Sequence, residues 1–478
     1  MNFCKKNIPL VLLFFFVLLS VYFSFIIINL TNIFSLIFFI CIFLNAVFLL
    51  SSYFYYLTQK EDELIKTSFE KEPSVAVVCT FSGEDKEIVK NTLVSMKNIK
   101  YENKKLYLLD DSKGKKLKEE LKRYCTKNNI QYVSRENNNN FKAGNLNNFI
   151  FNYCNEEFLI IFDKDDFKLV DPNIIIDLLP FFKDNKLAYI QTKKTTINGT
   201  IFENAIKETN AFFYNLIQPI NNKKDAALFG GSLALMDVKI LKKLGGFPNY
   251  LIEDIAYSFK ALINGYKGKY INKSYCLSYK IESYSEFQKQ QFRYNFSNTR
   301  LLFDCYIKNI TKIPFKLHFN FLIQFLGLHF LSVSQFVSSI FLIFFLMYIP
   351  ATYNFYISLL LFVFLFPFSI LVFSKIYNNS YKIGIFAYLI NFSLILTRIS
   401  ALIKGIFKSK PNTYGVTGLG KNKFEFKKVI NRSVLGLICF IFLLSPIFFI
   451  PFNFIYLIII LWNACLFLTT FLFLYLFG

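Results

Sequence analysis

Residues 158–166 read FLIIFDKDD and place five apolar side chains directly before a cluster of carboxylates. A short apolar run that stops at a polar break is typical of a buried strand in a parallel sheet. Open α/β sheets bind ligands at the carboxyl ends of their strands, which is where Asp163, Asp165 and Asp166 would lie. Two carboxylates one residue apart can hold Mg²⁺ or Mn²⁺ together with substrate phosphates. A strand followed by a polar turn has the same pattern, so this stretch alone leaves both interpretations open.

The composition divides the chain into membrane-like and soluble segments. Of 478 residues, 54% are hydrophobic and 62 are Phe, which is too apolar for an ordinary soluble enzyme. Several uncharged stretches approach or exceed the roughly 18 residues that indicate a membrane span, whereas the middle third is rich in charge. The sequence therefore predicts a membrane protein that carries a soluble domain between its spans.

The net charge of +22, from 54 Lys+Arg and 32 Asp+Glu, raises the question of a nucleic-acid partner. The sequence contains no basic helix or aromatic-basic recognition motif, so we expect no such partner. Lysines beside membrane spans on the cytoplasmic side, or near anionic lipid and phosphate, explain the charge better. Nine Cys without a CxxC pair, and only two His, argue against a zinc site or a disulfide framework.

The N-terminal segment, residues 1–58, contains two long apolar stretches. They lack the short core and cleavage site of a signal peptide, so we predict two retained transmembrane helices. Lys5 and Lys6 precede the first helix and place the N-terminus in the cytoplasm. Two crossings return the chain to that side, so residues 59–312 are predicted to form a cytoplasmic domain of a multi-pass plasma-membrane protein.

From residue 74 onward, strand and helix patterns alternate. Strands are predicted at 74–81, 105–110, 130–134 and in the opening stretch, and helices at 86–97, 115–127 and 144–153. Such alternation predicts an α/β domain with a doubly wound, mostly parallel sheet. Carboxylates follow the second and fourth strands, as a nucleotide-binding crevice requires. A later amphipathic segment at 287–300, within a region near 283–310, is suited to an interfacial helix.

The segment 313–478 holds five apolar blocks, at about 317–349, 355–374, 383–403, 434–450 and 452–477. A Lys-rich loop at 404–432 separates the third from the fourth and is predicted to be cytoplasmic. An even number of crossings must then precede this loop, so one of the first three blocks should lie flat on the membrane. Residues 381–408 are the best candidate because Lys382, Arg398, Lys404 and Lys408 punctuate them. Four transmembrane helices remain in this segment, which makes six in all.

Several short motifs follow one another in an order that belongs to one family. They are Asp110-Asp111, Lys142-Ala143-Gly144-Asn145, Asp163-x-Asp165, Phe229-Gly230-Gly231-Ser232, Glu253-Asp254, Gln290-x-x-Arg293-Tyr294 and KPNTYGVTGLG at 410–420. This order resembles the membrane-embedded family-2 glycosyltransferases of the cellulose synthase type. The last motif resembles their gating loop, here at about 409–424. The resemblance covers residues 74–478 and implies a GT-A catalytic domain inserted between transmembrane α-helices.

The resemblance also implies a role for each matched residue. Those that bind the donor nucleotide would be Glu84, Asp110, Asp111, Lys142, Asp163, Gln290, Arg293 and Thr417. Asp163 and Asp165 would hold the metal, Mg²⁺ or Mn²⁺. Asp254 would be the catalytic base, with Glu253 beside it. Those that bind the acceptor sugar would be Phe229, Gly230, Gly231, Ser232 and Tyr294, the last as a stacking surface.

The implied function is an inverting, metal-dependent, processive glycosyltransferase. It would elongate a polysaccharide from a UDP-sugar, with UDP-glucose favoured, and extrude it across the lipid bilayer. The residue types suit this chemistry, because a departing diphosphate needs cations and an acceptor hydroxyl must lose its proton to a carboxylate. Two alternatives remain: a non-processive lipid glycosyltransferase, and a transporter or scaffold with an inactive glycosyltransferase domain.

The chain departs from the family pattern at four positions. Tyr294 stands where the family has Trp, and Gly230 where it often has Cys. Ile252 replaces Thr, and Leu419 replaces the gating-loop Lys. The first three changes fall where the acceptor would bind, so they make cellulose itself uncertain. A related bacterial exopolysaccharide, either another β-glucan or a galactan, is an equal expectation.

Overall fold

The structure is a computed structural model that describes residues 72–83, 85–348 and 380–407, together with single positions in the apolar segments beyond them. Several predictions concern residues outside this described part. They are the two transmembrane helices at 1–58, the spans at about 355–374, 434–450 and 452–477 apart from isolated positions, the gating loop at 409–424, and the site residues Glu84 and Thr417.

Ten strands are present among the described residues. They are β1 (Val75–Phe81), β2 (Lys104–Asp110), β3 (Gln131–Ser134), β4 (Phe158–Asp163), β5 (Lys168–Leu169), β6 (Leu187–Thr192), β7 (Thr195–Thr196), β8 (Ala234–Asp237), β9 (Lys267–Ile271) and β10 (Cys276–Ser278). The four strands predicted before residue 166 are confirmed, with ends that differ by a few residues at most.

The helices of the described part follow in chain order. They are α1 (Lys86–Lys97), α2 (Lys115–Lys127), α3 (Phe141–Asn152), α4 (Ile174–Leu178), α5 (Ile201–Phe212), α6 (Gln218–Asn222), α7 (Val238–Lys243), α8 (Glu253–Ile263), α9 (Tyr284–Leu301), α10 (Phe315–Tyr348), α11 (Tyr381–Ser393) and α12 (Ile395–Ile406). Short 3₁₀ or π-helical turns occupy Leu179–Lys183, Phe213–Ile217, Leu302–Tyr306 and Ile307–Lys312.

Seven of these strands form the main sheet in the order β3-β2-β1-β4-β8-β6-β9. β1 pairs in parallel with β2 and β4, whereas β8 runs antiparallel to both of its neighbours, β4 and β6. β6 therefore runs in the same direction as β4, and their carboxyl ends lie at the same edge. The predicted mostly parallel sheet is confirmed. A second small sheet has the order β5-β10-β7.

Side chains alternate across β1 and enter two separate cores. Val75, Val77 and Cys79 face a core that includes residues of α1 and α2. Ala76 and Val78 face the opposite core, which includes residues of α3, α7 and α8. All five are fully buried, as expected for a central strand covered by helices on both faces. The sheet is therefore doubly wound, as predicted.

The helices after the sheet connect the domain to the apolar segments. α9 packs against α10 and α12, while α11 packs against α5. The predicted flat segment at 381–408 consists of α11 and α12, which meet at Leu394. Among the described residues, Tyr381–Ile406 is the one helical stretch that is long and apolar enough to cross a membrane, and 61% of its most apolar window is buried in the protein. Its flat orientation on a membrane stays a prediction.

Candidate active site

Three carboxylates meet at the carboxyl end of β4. One oxygen from each of Asp163, Asp165 and Asp166 lies within 4.8 Å of the other two. Asp166 is fully buried and shapes the turn, because its carboxylate accepts hydrogen bonds from the Asp163 N–H at 2.9 Å and from the Ser278 hydroxyl. The side chains of Asp163 and Asp165 remain partly exposed, by 27% and 30%. This all-oxygen donor set fits the coordination that Mg²⁺ or Mn²⁺ requires.

The surroundings of Asp163 and Asp165 shift the pKa values of the two carboxylates in opposite directions. Burial and the charges of Asp166 and Asp163 raise the pKa of Asp165 to about 6, although Lys194 opposes the shift. Burial also raises the pKa of Asp163, but the nearby ammonium groups of Lys142 and Lys194 outweigh it and hold that pKa below its usual value. The cluster therefore attracts positive charge.

Lys142, near the start of α3, links this cluster to two other parts of the site. Its Nζ donates to Asp163 Oδ1 at 2.6 Å and to the Gly231 carbonyl at 2.7 Å, and it lies 3.6 Å from Glu253 Oε1. One ammonium group thus joins the end of β4, the Gly-Gly loop and the acidic pair. These predicted site residues lie together in one cleft.

Asp254 lies in the first turn of α8, beside the Gly-Gly loop. Gly231 has a φ of +90°, a conformation that favours glycine, and a Cβ there would lie 3.0 Å from Asp254 Oδ2, so the loop backbone lies close to this carboxylate. Burial and the neighbouring charge of Glu253 raise the pKa of Asp254 to about 7. A carboxylate with a pKa near the working pH is well suited to accept a proton.

The raised pKa of Asp254 predicts an acid limb in the pH profile. A general base must be deprotonated, and a raised pKa means that the proton is retained up to a higher pH. We therefore expect the turnover rate at saturating donor to fall as the pH drops below about 7. Initial rates measured between about pH 5 and 9 will test this. A rate that stays constant down to about pH 5 would contradict it, since the base would then be ionised throughout.

The loop of residues 229–232 is held from both sides. The Gly230 N–H donates to Gln191 Oε1 at 2.7 Å, and the Phe229 N–H donates to the Ser258 hydroxyl at 2.7 Å. Ser258 in turn donates to the Asp254 carbonyl at 2.9 Å. The loop that would face the acceptor is therefore fixed relative to the candidate base.

Gly230 lies close to Tyr214, and this contact gives a testable prediction. A Cβ at this position would lie 2.8 Å from the Tyr214 hydroxyl. Gly230→Ala is expected to cost about 1–3 kcal/mol of stability through overpacking, seen as a lower melting temperature of the purified protein. Adding Tyr214→Phe removes the clashing oxygen and should restore most of the loss.

Gly327→Ala is the control for that experiment. Among the residues that the structure describes, its new methyl group would meet the Ile323 side chain at 3.8 Å, so it should not lower the melting temperature. If Gly230→Ala were as stable as the parent, the close contact with Tyr214 would be disproved.

The predicted Gln290, Arg293 and Tyr294 lie on α9. Burial raises the pKa of Tyr294, and the charge of Asp254 raises it further against the opposing effect of Arg293, so the phenol lies within electrostatic reach of both. The Arg293 guanidinium carbon is 5.4 Å from the Tyr294 ring centroid. Within the described part of the chain, Gln290 Oε1 and Arg293 Nε are buried without a hydrogen-bond partner. Buried polar atoms of this kind are expected to have a partner, so they favour a ligand here.

Asp110 and Asp111 lie at the end of β2, with β1 between them and β4. Both are already bound by protein groups. Tyr132 donates to Asp110 at 2.7 Å, and Arg135 forms a bidentate pair with Asp111 at 2.7 and 2.6 Å. Arg135 also donates to the carbonyl of Phe141, which opens α3. The structure therefore gives Asp111, through Arg135, a role in positioning the loop before Lys142. The contact of Asp110 and Asp111 with uridine stays a prediction.

Two residues of the cleft were not predicted from sequence. Lys194, just after β6, contacts all three carboxylates of the β4 end. The Tyr214 hydroxyl lies close to Gly230, and the charges of Lys194 and Asp254 both act on the pKa of Tyr214. The strand-end rule applied to β6 could have identified Lys194. Tyr214 lies in a π-helical turn and gave no such signal.

The fold and the site can now be compared with known proteins. Residues 158–399 match Glycosyl transferase family group 2. The chain belongs to this family. The family predicted from the motif order is confirmed, and with it the GT-A fold class.

Within family group 2, the chain is similar to bacterial cellulose synthase catalytic subunits described as UDP-forming. It is 28% identical over 239 residues to that of Pseudomonas fluorescens and 27% identical over 231 residues to that of Xanthomonas axonopodis. These matches cover 48% and 46% of this chain, but 32% and 31% of the relatives. The matched region thus spans about a third of the length of the relatives.

A solved structure shows the same fold. The mannosyltransferase from Pyrobaculum calidifontis, in complex with GDP-mannose and Mn²⁺, superposes with a TM-score of 0.56 at 14% identity. The match covers 78% of this chain and 100% of the mannosyltransferase. At this identity the likeness concerns the fold alone.

Proposed function

We propose that this protein is an inverting, metal-dependent, processive glycosyltransferase that elongates a polysaccharide from a UDP-sugar, with UDP-glucose favoured. The observation that carries the proposal is the shared cleft of the β4 carboxylates and Asp254, which Lys142 and the Gly231 backbone connect. Similarity to UDP-forming synthases supports the choice of donor.

In the donor half of the cleft, Asp163 and Asp165 would hold Mg²⁺ or Mn²⁺. The metal would neutralise the negative charge that develops on the departing diphosphate. Gln290 and Arg293 supply further contacts to the pyrophosphate, and their buried atoms that have no partner within the described part of the chain support this role. Arginine suits it because its planar fork matches phosphate oxygens.

In the acceptor half, Asp254 accepts the proton of the attacking hydroxyl, and burial together with the charge of Glu253 keeps the pKa of Asp254 raised. Attack from the side opposite the leaving group inverts the configuration at the anomeric carbon. Gly230 and Gly231 let a sugar approach the backbone closely, and the aromatic ring of Tyr294 offers a flat apolar surface for it.

Processive extrusion is supported by the position of α9. Tyr294 packs at the margin of an apolar core that includes Phe321 and Phe325 of α10, the first predicted span after the domain. A sugar that leaves the Tyr294 surface therefore begins beside a predicted membrane helix. We accordingly propose a multi-pass plasma-membrane location, with the catalytic domain in the cytoplasm.

Product length tests this proposal. The full chain, purified in detergent, is supplied with each of several UDP-sugars and Mn²⁺ or Mg²⁺, and products are sized while little donor has been consumed. A processive synthase gives long chains from the start, and linkage-specific hydrolases then identify the bond. Single-sugar products attached to lipid would instead assign the chain to the non-processive lipid glycosyltransferases.

A further inference from the structure

Lys194, which was not predicted from sequence, contacts several groups of the proposed donor site. Its Nζ lies 3.2 Å from Asp163 Oδ2, 3.3 Å from Asp166 Oδ1 and 3.7 Å from Asp165 Oδ1. It also donates to the Ser232 hydroxyl at 3.2 Å. With 18% of its side chain exposed, the ammonium group is largely enclosed by these partners.

The ammonium group therefore lies where a divalent cation would bind. The three carboxylates that could hold the cation lie within 4.8 Å of one another, and Lys194 contacts an oxygen of each. A cation bound to the same oxygens would lie next to the ammonium group, and like charges so close together repel strongly. Lysine and metal must then compete for the carboxylates.

We propose that Lys194 is a built-in competitor of the metal, which makes metal binding depend on the nucleotide. The side chain leaves the carboxylates when metal and diphosphate arrive together, and its ammonium group then donates to the phosphate oxygens. This inference rests on the proposed function, which supplies the metal and the diphosphate. Lys194 is thus a donor-site residue that couples two ligands.

The coupling follows from a balance of charges. If metal binds without a nucleotide, Lys194 must give up its contacts with three carboxylates and gains no new negative partner. Metal binding alone is therefore weakened. A diphosphate brings new negative oxygens to the same place, so the displacement costs less. Each ligand then raises the affinity of the other by the same factor.

The neighbouring residue Lys193 supplies a matched control. It follows the same strand and carries the same charge, but its electrostatic neighbours are Lys207 and Glu208. Lys193→Met removes one positive charge from the same segment without removing a contact to the β4 carboxylates. Lys194→Arg provides a second control, because it keeps the charge at the site.

The test is an electron paramagnetic resonance titration of the full-length protein with Mn²⁺ alone, in which bound metal is counted from the loss of the free-ion signal. Lys194→Met and Lys194→Gln should each bind Mn²⁺ at least about tenfold more tightly than the parent, since a repelling charge is removed. Lys193→Met should match the parent, and Lys194→Arg should show no gain in Mn²⁺ affinity because a positive charge remains at the site. Calorimetry then compares UDP affinity with and without Mn²⁺, and the enhancement by metal should shrink in the two neutral Lys194 variants.

Two results would overturn the inference, and they are distinct from failure of the proposed function. If both neutral variants bound Mn²⁺ no more tightly than the parent, Lys194 would not compete with metal, yet metal-dependent transfer could stand. If Lys193→Met tightened Mn²⁺ binding equally, the effect would be one of general charge. Absence of Mn²⁺ binding by every protein, even with UDP, would remove both the inference and the proposed metal dependence.

Discussion

Asp254→Asn is expected to lower the turnover rate by about 10²–10⁴ while UDP binding stays at the parental level. Asparagine keeps the shape of the side chain but cannot accept the proton of the acceptor hydroxyl. UDP binding should survive because the β4 carboxylates and the α9 residues, not Asp254, are proposed to hold the nucleotide. The two effects are measured as sugar transfer and as UDP affinity on the same purified protein.

Glu253→Gln is the matched control, because it removes the adjacent carboxylate from the same helix turn. Its effect on rate should be smaller, and it should lower the pKa of Asp254 by removing the neighbouring negative charge. If Asp254→Asn kept more than about a tenth of the parental turnover, it would fall short of the typical loss of a general base. Glu253 would then be the better candidate.

Asp163→Asn is expected to reduce metal-dependent UDP affinity by about 10²-fold, comparable to the loss of one strong electrostatic contact at an active site. Asp163 is the carboxylate that both Lys142 and Lys194 contact, at 2.6 and 3.2 Å, so the change removes a metal ligand and disturbs two cations. UDP affinity is measured by calorimetry with and without Mn²⁺. The variant should lose the enhancement that the metal provides.

Asp184→Asn controls for the loss of an Asp–Lys ion pair away from the cleft. Asp184 pairs with Lys267 at 2.8 Å, and both side chains are well exposed. Exposed pairs contribute little, so this variant should bind UDP as the parent does. If Asp163→Asn also bound UDP with full metal enhancement, the β4 carboxylates would be structural.

Local pattern was enough to predict the first half of the sheet. β1 and β4 are apolar runs buried on both faces, β2 is buried over its last four residues, and α1 and α2 have the predicted bounds. The start of α3 was missed by three residues. Its first turn depends on Arg135 and on the left-handed conformation of Asn140, neither of which periodicity reveals.

β8 was not predicted because its four residues become a strand only by pairing with β4 and β6, which are distant in sequence. In the candidate site, too, some residues could be identified from local sequence and others only from tertiary contacts. Acidic residues at strand ends and helix starts could be identified from sequence, and the fold brings Asp163, Glu253 and Asp254 into one cleft. Lys194 was missed because β6, the strand it follows, was not predicted, and the partner of Asp111 was missed because it depends on tertiary packing.

The most direct test of the account measures UDP release and sugar incorporation together, from a panel of UDP-sugars supplied to the full-length protein with Mn²⁺ or with chelator. The account predicts that at least one donor releases UDP and enters a polymer with inverted anomeric configuration. Both signals should vanish with chelator and fall by about 10²–10⁴ in Asp254→Asn. The account would be contradicted if turnover were unchanged with chelator and in Asp254→Asn, or if no donor gave any turnover.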